Sequence, residues 1–391
     1  MTLLDILPSL RAVLSPPVDP ARWPHTTAID PAGRLTIGGV ALADIAGEFG
    51  TPTHVVDETD FRNRARRYRK ELPGTKVLYS DRTPLIPAIA RWAGEENLGV
   101  EARSGTELAT ALNGGVHPAR IVFHGSAQSR AELSDAVAAG VGRIVVDSAE
   151  DVACLAGLVY RTQHVLVRFI PGRRMAATIA ALHTAPKLTL AGLHGHIGAD
   201  ITGVELYSAA VRRMVGAMAD VRRAHKQVLG ELNIGGGHTM THPELGVRQL
   251  AVFLDDALDT ACAAERFPRP LVVIAPGRAV IARAGVTLYR VQAVHSHRGR
   301  AVVAIEGTGE GTGGSVRHHT ALLANRTPEG PARVTAVVGD CDSGDEIVRA
   351  AELPVDVCAG DLIAVAGTGG SQHSHGSPVV AVCEGHAMRA R

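Results

Sequence analysis

Two glycine-containing motifs are the clearest candidates for ligand chemistry in this sequence. The motif NIGGGH occupies 233–238 and the motif APGR occupies 275–278, and each closes a short apolar run. Glycines let backbone N–H groups approach an anion closely, and a guanidinium offers two parallel donors to phosphate oxygens. Together the motifs predict a phosphate site, and the alternative is that they form only two sharp turns. The candidate phosphate-binding residues are Gly235, Gly236, Gly237, Gly277 and Arg278.

The elements that must position these motifs are short β-rich runs separated by helical patterns. Such repeats are typical of βα units with a parallel sheet, and eight of them close an α/β barrel of roughly 250 residues. In that fold the reactive groups follow the carboxyl ends of the strands. The eight predicted strands lie at 76–80, 98–102, 120–124, 143–147, 165–169, 190–194, 231–234 and 271–275.

Beyond residue 285 the pattern changes to short alternating segments and glycine-rich turns, with no long helical period. This change predicts an all-β module after the barrel. The expected division is an N-terminal segment at 1–47, a barrel at 48–285 and a C-terminal β domain at 286–391. The strands predicted in the β domain lie at 287–294, 301–305, 333–338, 362–366 and 379–382.

The composition excludes several classes of protein. The formal net charge is +1 and aromatic residues make up 3%, so the chain lacks the basic surface and stacking platforms of a nucleic-acid-binding protein. No apolar stretch reaches the roughly 18 residues of a membrane span. The five cysteines form no CxxC pair, which fits a reducing compartment. We therefore expect a cytoplasmic protein with neither nucleic-acid nor membrane partners.

Nearly the whole chain resembles the fold-type III decarboxylases that depend on pyridoxal phosphate (PLP), the family of diaminopimelate and ornithine decarboxylases. Besides the two glycine motifs, the shared stretches include FGTPTHVVD at 49–57, GLHGHIG at 192–198 and CDSGD at 341–345. The resemblance implies an alanine-racemase-like α/β barrel with a C-terminal β domain and a head-to-tail homodimer. It also implies PLP as cofactor and an amino-acid-like ligand.

The resemblance also assigns roles to individual residues. The five residues of the glycine motifs match the family's phosphate cradle. His196 matches the histidine that stacks on the cofactor ring, and Cys341 matches the thiol that returns a proton to the decarboxylated carbon. Asp342 matches the carboxylate that meets the distal amino group of the substrate, and the family takes both Cys341 and Asp342 from the partner chain. An inert buried thiol is the alternative for Cys341.

The sequence departs from the family at the lysine that forms the Schiff base with PLP. In the motif YSDR at 79–82 this position holds Arg82, whose guanidinium is not a usable amine nucleophile. Ala275 replaces the glutamate beside the ring nitrogen, Ala199 replaces a phosphate-contacting serine, and Ser371 replaces a tyrosine near the phosphate. We therefore expect any PLP to be bound non-covalently.

Histidines accumulate in the same stretches, and imidazole is both an acid–base group and a common metal ligand. Their spacing defines no ligand set, so the sequence assigns no metal-binding residue. Three interpretations remain. The first, which we take forward, is a non-standard enzyme that acts on an amino-acid-like or phosphorylated ligand; the others are a non-catalytic binding subunit and a site in which histidines hold a metal or haem. The histidines concerned are His194, His196, His238, His242, His318, His319, His373 and His375.

We expect the protein to be a homodimer, because the resemblance places Cys341 and Asp342 of one subunit in the site of the other. Sedimentation velocity should therefore give twice the mass of one chain. A monomer that persists at high protein concentration would contradict the shared site and the catalytic role of Cys341.

Overall fold

The structure is a computed structural model, and its two compact units are described separately. One, the β unit, comprises Met1–Asn63 and Val280–Arg391; the other, the barrel unit, comprises Arg64–Ala279. The described residues are 18–79, 83–125, 128–198, 201, 203–238, 246–297, 299–307, 319–339, 346–371 and 377–390.

The N-terminal part of the β unit contains a small antiparallel sheet, one helix and one longer strand. The small sheet has the order β1-β2-β3. The longer strand is buried along its whole length, as expected for a strand inside a packed sheet. These elements are β1 (Ala28–Ile29), β2 (Leu35–Ile37), β3 (Val40–Ala41), α1 (Leu42–Phe49) and β4 (Thr53–Asp57).

The barrel unit contains the closed barrel that the sequence predicts. All eight predicted strands are present, all neighbouring pairs are parallel, and the closed order is β10-β11-β12-β5-β6-β7-β8-β9. Apolar side chains from six of the strands or their ends fill the barrel interior. The strands are β5 (Lys76–Tyr79), β6 (Gly99–Ala102), β7 (Ile121–Phe123), β8 (Arg143–Val146), β9 (Gln163–Arg168), β10 (Leu188–His194), β11 (Glu231–Asn233) and β12 (Leu271–Ile274).

Helices connect these strands, and their starts follow local sequence signals. The hydroxyl of Ser104 accepts a hydrogen bond from the N–H of Glu107 and so caps the helix that begins at Gly105. In the part of the chain described, no helix is both long and apolar enough to cross a membrane. The helices are α2 (Glu58–Glu71), α3 (Pro87–Glu95), α4 (Gly105–Asn113), α5 (Arg130–Ala139), α6 (Ala149–Ala156), α7 (Arg173–His183), α8 (Glu205–His225), α9 (Val247–Glu265) and α10 (Arg278–Ile281).

The C-terminal part of the β unit consists of strands, as predicted. The main sheet has the order β17-β16-β14-β13-β4-β19-β20, and β18 pairs with both β13 and β15. All five predicted segments are strands, whereas β15, β17 and β20 were not predicted. The strands are β13 (Gly285–His297), β14 (Arg300–Ile305), β15 (Thr320–Leu323), β16 (Ala332–Val338), β17 (Glu346–Pro354), β18 (Leu362–Ala366), β19 (Val379–Cys383) and β20 (His386–Arg389).

The observed division into units differs from the predicted domain bounds at β4. This strand pairs antiparallel with β13 and parallel with β19, so residues 53–57 belong to the sheet of the β unit. The expected barrel range of 48–285 included them. The difference has a simple physical reason: partners more than 200 residues away in sequence leave no local signal in the strand itself.

A partly buried ion pair stabilises the turn before β18. The Arg326 guanidinium donates to both oxygens of Asp361, at 2.9 and 2.8 Å. The same guanidinium donates to Asp356, and the Asn325 amide also donates to Asp361. Burial by itself would raise the pKa of Asp361, but these hydrogen bonds outweigh it and the pKa is lowered below its usual range. The carboxylate therefore stabilises the folded state only while it is charged.

We expect Arg326→Met to lower the free energy of unfolding of the β unit by about 3 kcal/mol at neutral pH, because it leaves Asp361 buried without its main counterion. The folded-state pKa of Asp361 is depressed, so this stabilisation is present above the unfolded-state pKa and is lost as pH falls through the folded-state value. The difference between the variant and the parent should therefore shrink in acid.

Urea unfolding followed by Trp23 fluorescence in a Trp92→Phe background measures this effect, since Trp23 is buried in the β unit. The matched control is Arg349→Met, which removes an exposed partner of Glu346 and should cost less than about 1 kcal/mol. Equal losses in the two variants would contradict the structural role of Arg326.

Candidate active site

The glycine motif after β11 has a backbone that only glycine fits. Gly235 has φ of 71° and Gly237 has φ of 102°, both in the region that favours glycine. A Cβ at Gly235 would lie 2.5 Å from the carbonyl oxygen of Gly195, and one at Gly237 would lie 2.6 Å from that of Gly198. The loops after β10 and β11 therefore approach each other backbone to backbone at the mouth of the barrel.

Asn233, the last residue of β11, links this loop to Glu101 in β6. Its Oδ1 accepts the N–H of Gly235 at 2.8 Å, and its Nδ2 donates to Oε1 of Glu101 at 3.2 Å. The carbonyl of Gly235 in turn accepts the N–H of Ala275 at 2.9 Å. The first N–H of the predicted cradle is thus used within the protein.

A buried cluster of Glu101, His124 and His194 lies at the carboxyl ends of β6, β7 and β10. Nε2 of His194 is 3.3 Å from Oε1 of Glu101, and Nε2 of His124 is 3.9 Å from Oε2 of the same carboxyl group. The two imidazole rings have their centroids 5.0 Å apart. Burial lowers the pKa of His194, and its hydrogen bond to Glu101 opposes this shift without reversing it. His194 is therefore neutral at neutral pH.

Arg168 and Asp147 continue this cluster along the mouth. Nε of Arg168 donates to Oδ1 of Asp147 at 2.9 Å, and its Nη2 lies 3.3 Å from Nδ1 of His124. Asp147 directly follows β8, and Arg168 is the last residue of β9. An ordered guanidinium at this position offers a counterion for a carboxylate ligand.

Of the remaining predicted residues, some are described by the structure and the others lie outside the described residues. His196 is exposed in the loop after β10, while Gly277 is buried and Arg278 is half-buried at the start of α10. Ala275 is fully buried and belongs to the apolar interior of the barrel. Three predicted catalytic residues lie outside the described residues: Arg82, Cys341 and Asp342. Ala199 also lies outside them.

The structure brings together only some of the predicted histidines. His194 is the last residue of β10, and His196 and His238 follow β10 and β11. The hydroxyl of Tyr68 hydrogen-bonds to Nδ1 of His238. His319 belongs to the β unit, where its ring contacts the carbonyl of Ala366. The other four predicted histidines lie outside the described residues: His242, His318, His373 and His375.

Sequence reasoning missed Glu101, His124 and Asn233. Each lies at or just past the carboxyl end of a strand that was predicted within one or two residues of its observed end. The rule that reactive groups follow barrel strands would therefore have found all three. They were overlooked because neither glycine clusters nor the resemblance drew attention to them.

All four lysines of the chain lie on the opposite side of the barrel from the mouth. Lys70 is in the last turn of α2, Lys76 is the first residue of β5, Lys187 directly precedes β10, and Lys226 ends α8 before β11. All four side chains are exposed. Each lysine therefore lies before a strand or at its first residue. Sites in such barrels form at the other ends of the strands.

Comparison with known proteins identifies the family of this barrel. A model of the family described as "pyridoxal-dependent decarboxylase, pyridoxal binding domain" matches residues 58–181 and 173–282. Together these matches cover more than half of the chain. The chain belongs to the pyridoxal-dependent decarboxylases of the diaminopimelate and ornithine decarboxylase type.

Individual relatives support the same assignment. A diaminopimelate decarboxylase of Actinosynnema pretiosum subsp. auranticum is 36% identical, covering 99% of this chain and 96% of its own length. One from Mycobacterium leprae is 34% identical over 93% of this chain and 89% of its own. The crystal structure of a diaminopimelate decarboxylase from M. jannaschii in co-complex with L-lysine has a TM-score of 0.80 at 20% identity, covering 94% and 95% of the two chains. The similarity to this crystal structure shows a shared fold.

We expect Gly235→Ala to destabilise the barrel unit by about 2 kcal/mol or more, because a methyl group meets a backbone oxygen and a positive φ. The matched control is Gly230→Ala, three residues before the end of β11, where an added Cβ meets nothing within 4 Å. Urea unfolding followed by far-ultraviolet circular dichroism measures both variants. A Gly235→Ala protein as stable as the control would contradict the close approach of the two loops.

Proposed function

We propose that this chain is a diaminopimelate-decarboxylase-like protein that binds an amino-acid-like or phosphorylated ligand without a covalent lysine–PLP link. The observation that carries the proposal is the position of the lysines. Arg82 stands where the family's lysine is expected, and the four lysines present lie on the side of the barrel away from the mouth. Because a guanidinium stays protonated at accessible pH, Arg82 cannot supply the missing amine.

The phosphate end of the site supports retention of an anionic ligand. The glycine backbone after β11 has the positive φ angles that favour glycine, and Gly277 and Arg278 follow β12. By resemblance, Ala199 and Ser371 each lack one side-chain contact to the phosphate. Each missing hydrogen bond to a charged oxygen costs about 1.5–3 kcal/mol, so phosphate binding is expected to be weaker than in the family by orders of magnitude.

The part of the site expected beside the PLP ring supports a reaction different from standard PLP decarboxylation. PLP supplies an electron sink when it is bound, and a carboxylate beside the ring nitrogen strengthens that sink. Ala275 offers a buried methyl group at this position. The residues of the mouth thus fit the phosphate of PLP better than they fit its covalent attachment or its activation.

The ligand class follows from the relatives. Those named above are diaminopimelate decarboxylases, and one of them was crystallised with L-lysine. We propose that this chain takes an α-amino acid with a distal amino group, with Arg168 as counterion for a carboxylate and His196 beside any ring system. Cys341 and Asp342 retain their proposed roles as proton donor and partner of the distal amino group in a homodimer.

A non-catalytic binding subunit is the second candidate, and the lysine positions favour it equally. The two candidates differ in turnover. Binding of meso-diaminopimelate or L-lysine, measured by calorimetry, without release of any product would favour the binding subunit. Slow product formation that depends on Cys341 would favour the non-standard enzyme.

We expect the unmodified protein, incubated with PLP and meso-diaminopimelate, lysine, ornithine or arginine, to release no carbon dioxide at a rate typical of enzymes. The reason is that lysine both activates the aldehyde and releases product. We further expect Arg82→Lys to gain a borohydride-trapped PLP adduct at the substituted position, located by peptide mass spectrometry.

The control for surface adducts is Arg91→Lys, which adds a lysine at an exposed position of α3. Adducts of equal yield in both variants would show that PLP reacts without a specific pocket. Ordinary turnover by the unmodified protein would overturn the proposal and place a working amine where the resemblance puts Arg82.

A further inference from the structure

The buried cluster at the floor of the mouth has the composition of a metal site. In the described part of the chain, Glu101, His124 and His194 each offer one donor atom, and these three atoms lie within 4.8 Å of one another. The three residues are 4%, 8% and 2% exposed. They come from three different barrel strands, so the barrel itself holds their relative positions.

We propose that Glu101, His124 and His194 bind one divalent transition-metal ion of the zinc class. Two imidazoles and one carboxylate form a known donor set for zinc, and three protein ligands leave a fourth position for water or a ligand. The inference is independent of the proposed function, because it concerns side chains that hold an ion whether or not PLP binds.

The distances are compatible with an ion. With metal–ligand bonds of about 2.0–2.2 Å, neighbouring ligand atoms of a tetrahedral site are about 3.3–3.6 Å apart. Oε1 of Glu101 is 3.3 Å from Nε2 of His194, and Oε2 of the same carboxyl group is 3.9 Å from Nε2 of His124. Because the two contacts involve different oxygens, an ion would lie between both oxygens, or the carboxyl group would turn to present one oxygen to both rings.

The surroundings of the three ligands can support an ion. Asn233 donates to Oε1 of Glu101 and so fixes the carboxyl group that would bind the metal. Arg168 lies on the other ring nitrogen of His124, so in the ion-free state Nε2 of His124 carries the proton. Metal binding at Nε2 requires this single ring proton to move to Nδ1. This weakens the 3.3 Å contact of Arg168, which keeps its ion pair with Asp147.

The donor atoms of the three residues suit a cation rather than an anion. Two imidazole nitrogens and a carboxyl oxygen are ligand types that ions of the zinc class take in proteins. The ligand atom of His194 is Nε2, because this nitrogen lies beside Glu101.

The test is a titration of untagged, chelator-treated full-length protein with Co²⁺ and Zn²⁺. We expect one Co²⁺ per chain with the visible absorption of a four- or five-coordinate ion, displaced by Zn²⁺ in calorimetry. Glu101→Gln keeps the size of the side chain and should weaken Zn²⁺ binding by more than about 100-fold, beyond the 10–100-fold of a lost supporting contact. His194→Ala should do the same.

The control for adventitious binding is His225→Ala. It removes one ring of the stacked, exposed pair His183–His225, whose centroids are 4.2 Å apart, and should leave the affinity unchanged. Circular dichroism shows whether each variant folds, and the titration of the unmodified protein decides the question even if one does not. Absence of one-to-one binding in the unmodified protein, or loss of binding in His225→Ala alone, would overturn the proposal.

Discussion

The common direction of the eight barrel strands decides which side chains of this chain can meet. Because every neighbouring pair is parallel, residues at the strand ends converge on one face and residues at the strand starts are held on the other. Glu101, His124, His194 and Asn233 therefore share one small volume although up to 132 positions separate Glu101 from Asn233. The same constraint keeps the four lysines away from that volume, since each sits before or at the start of a strand.

Asn233 connects the two chemically different parts of the mouth. One end of its amide accepts from the glycine loop and the other donates to the Glu101 carboxyl group. A carboxamide is the side chain that can do both in one fixed orientation, because it carries an acceptor and a donor group side by side. Asn233 therefore contacts both the glycine loop and the carboxyl group of the buried cluster.

The mouth combines a glycine loop fixed by backbone contacts with buried polar side chains at the strand ends. The glycine geometry depends on backbone contacts, which resist change because any side chain would collide with a carbonyl oxygen. The groups that would attach and activate PLP are single side chains, and each can change without disturbing the fold. Under the proposed function, this asymmetry lets the scaffold persist while the reaction changes, and Glu101, His124 and His194 remain as buried polar groups beside the glycine loop.

The sequence by itself determined the eight barrel strands, the β-rich C-terminal part and the glycine motifs, because each is written in local periodicity or in residue types with special backbone freedom. The prediction that Arg82 stands at the lysine position also comes from the sequence alone, through its resemblance to the family. Only the tertiary structure decided that β4 joins the sheet of the β unit, that Gly235 gives its N–H to Asn233, and that His124 meets Glu101 and His194. These are contacts between residues far apart in the chain, and their formation depends on barrel closure and strand pairing, which no local pattern encodes.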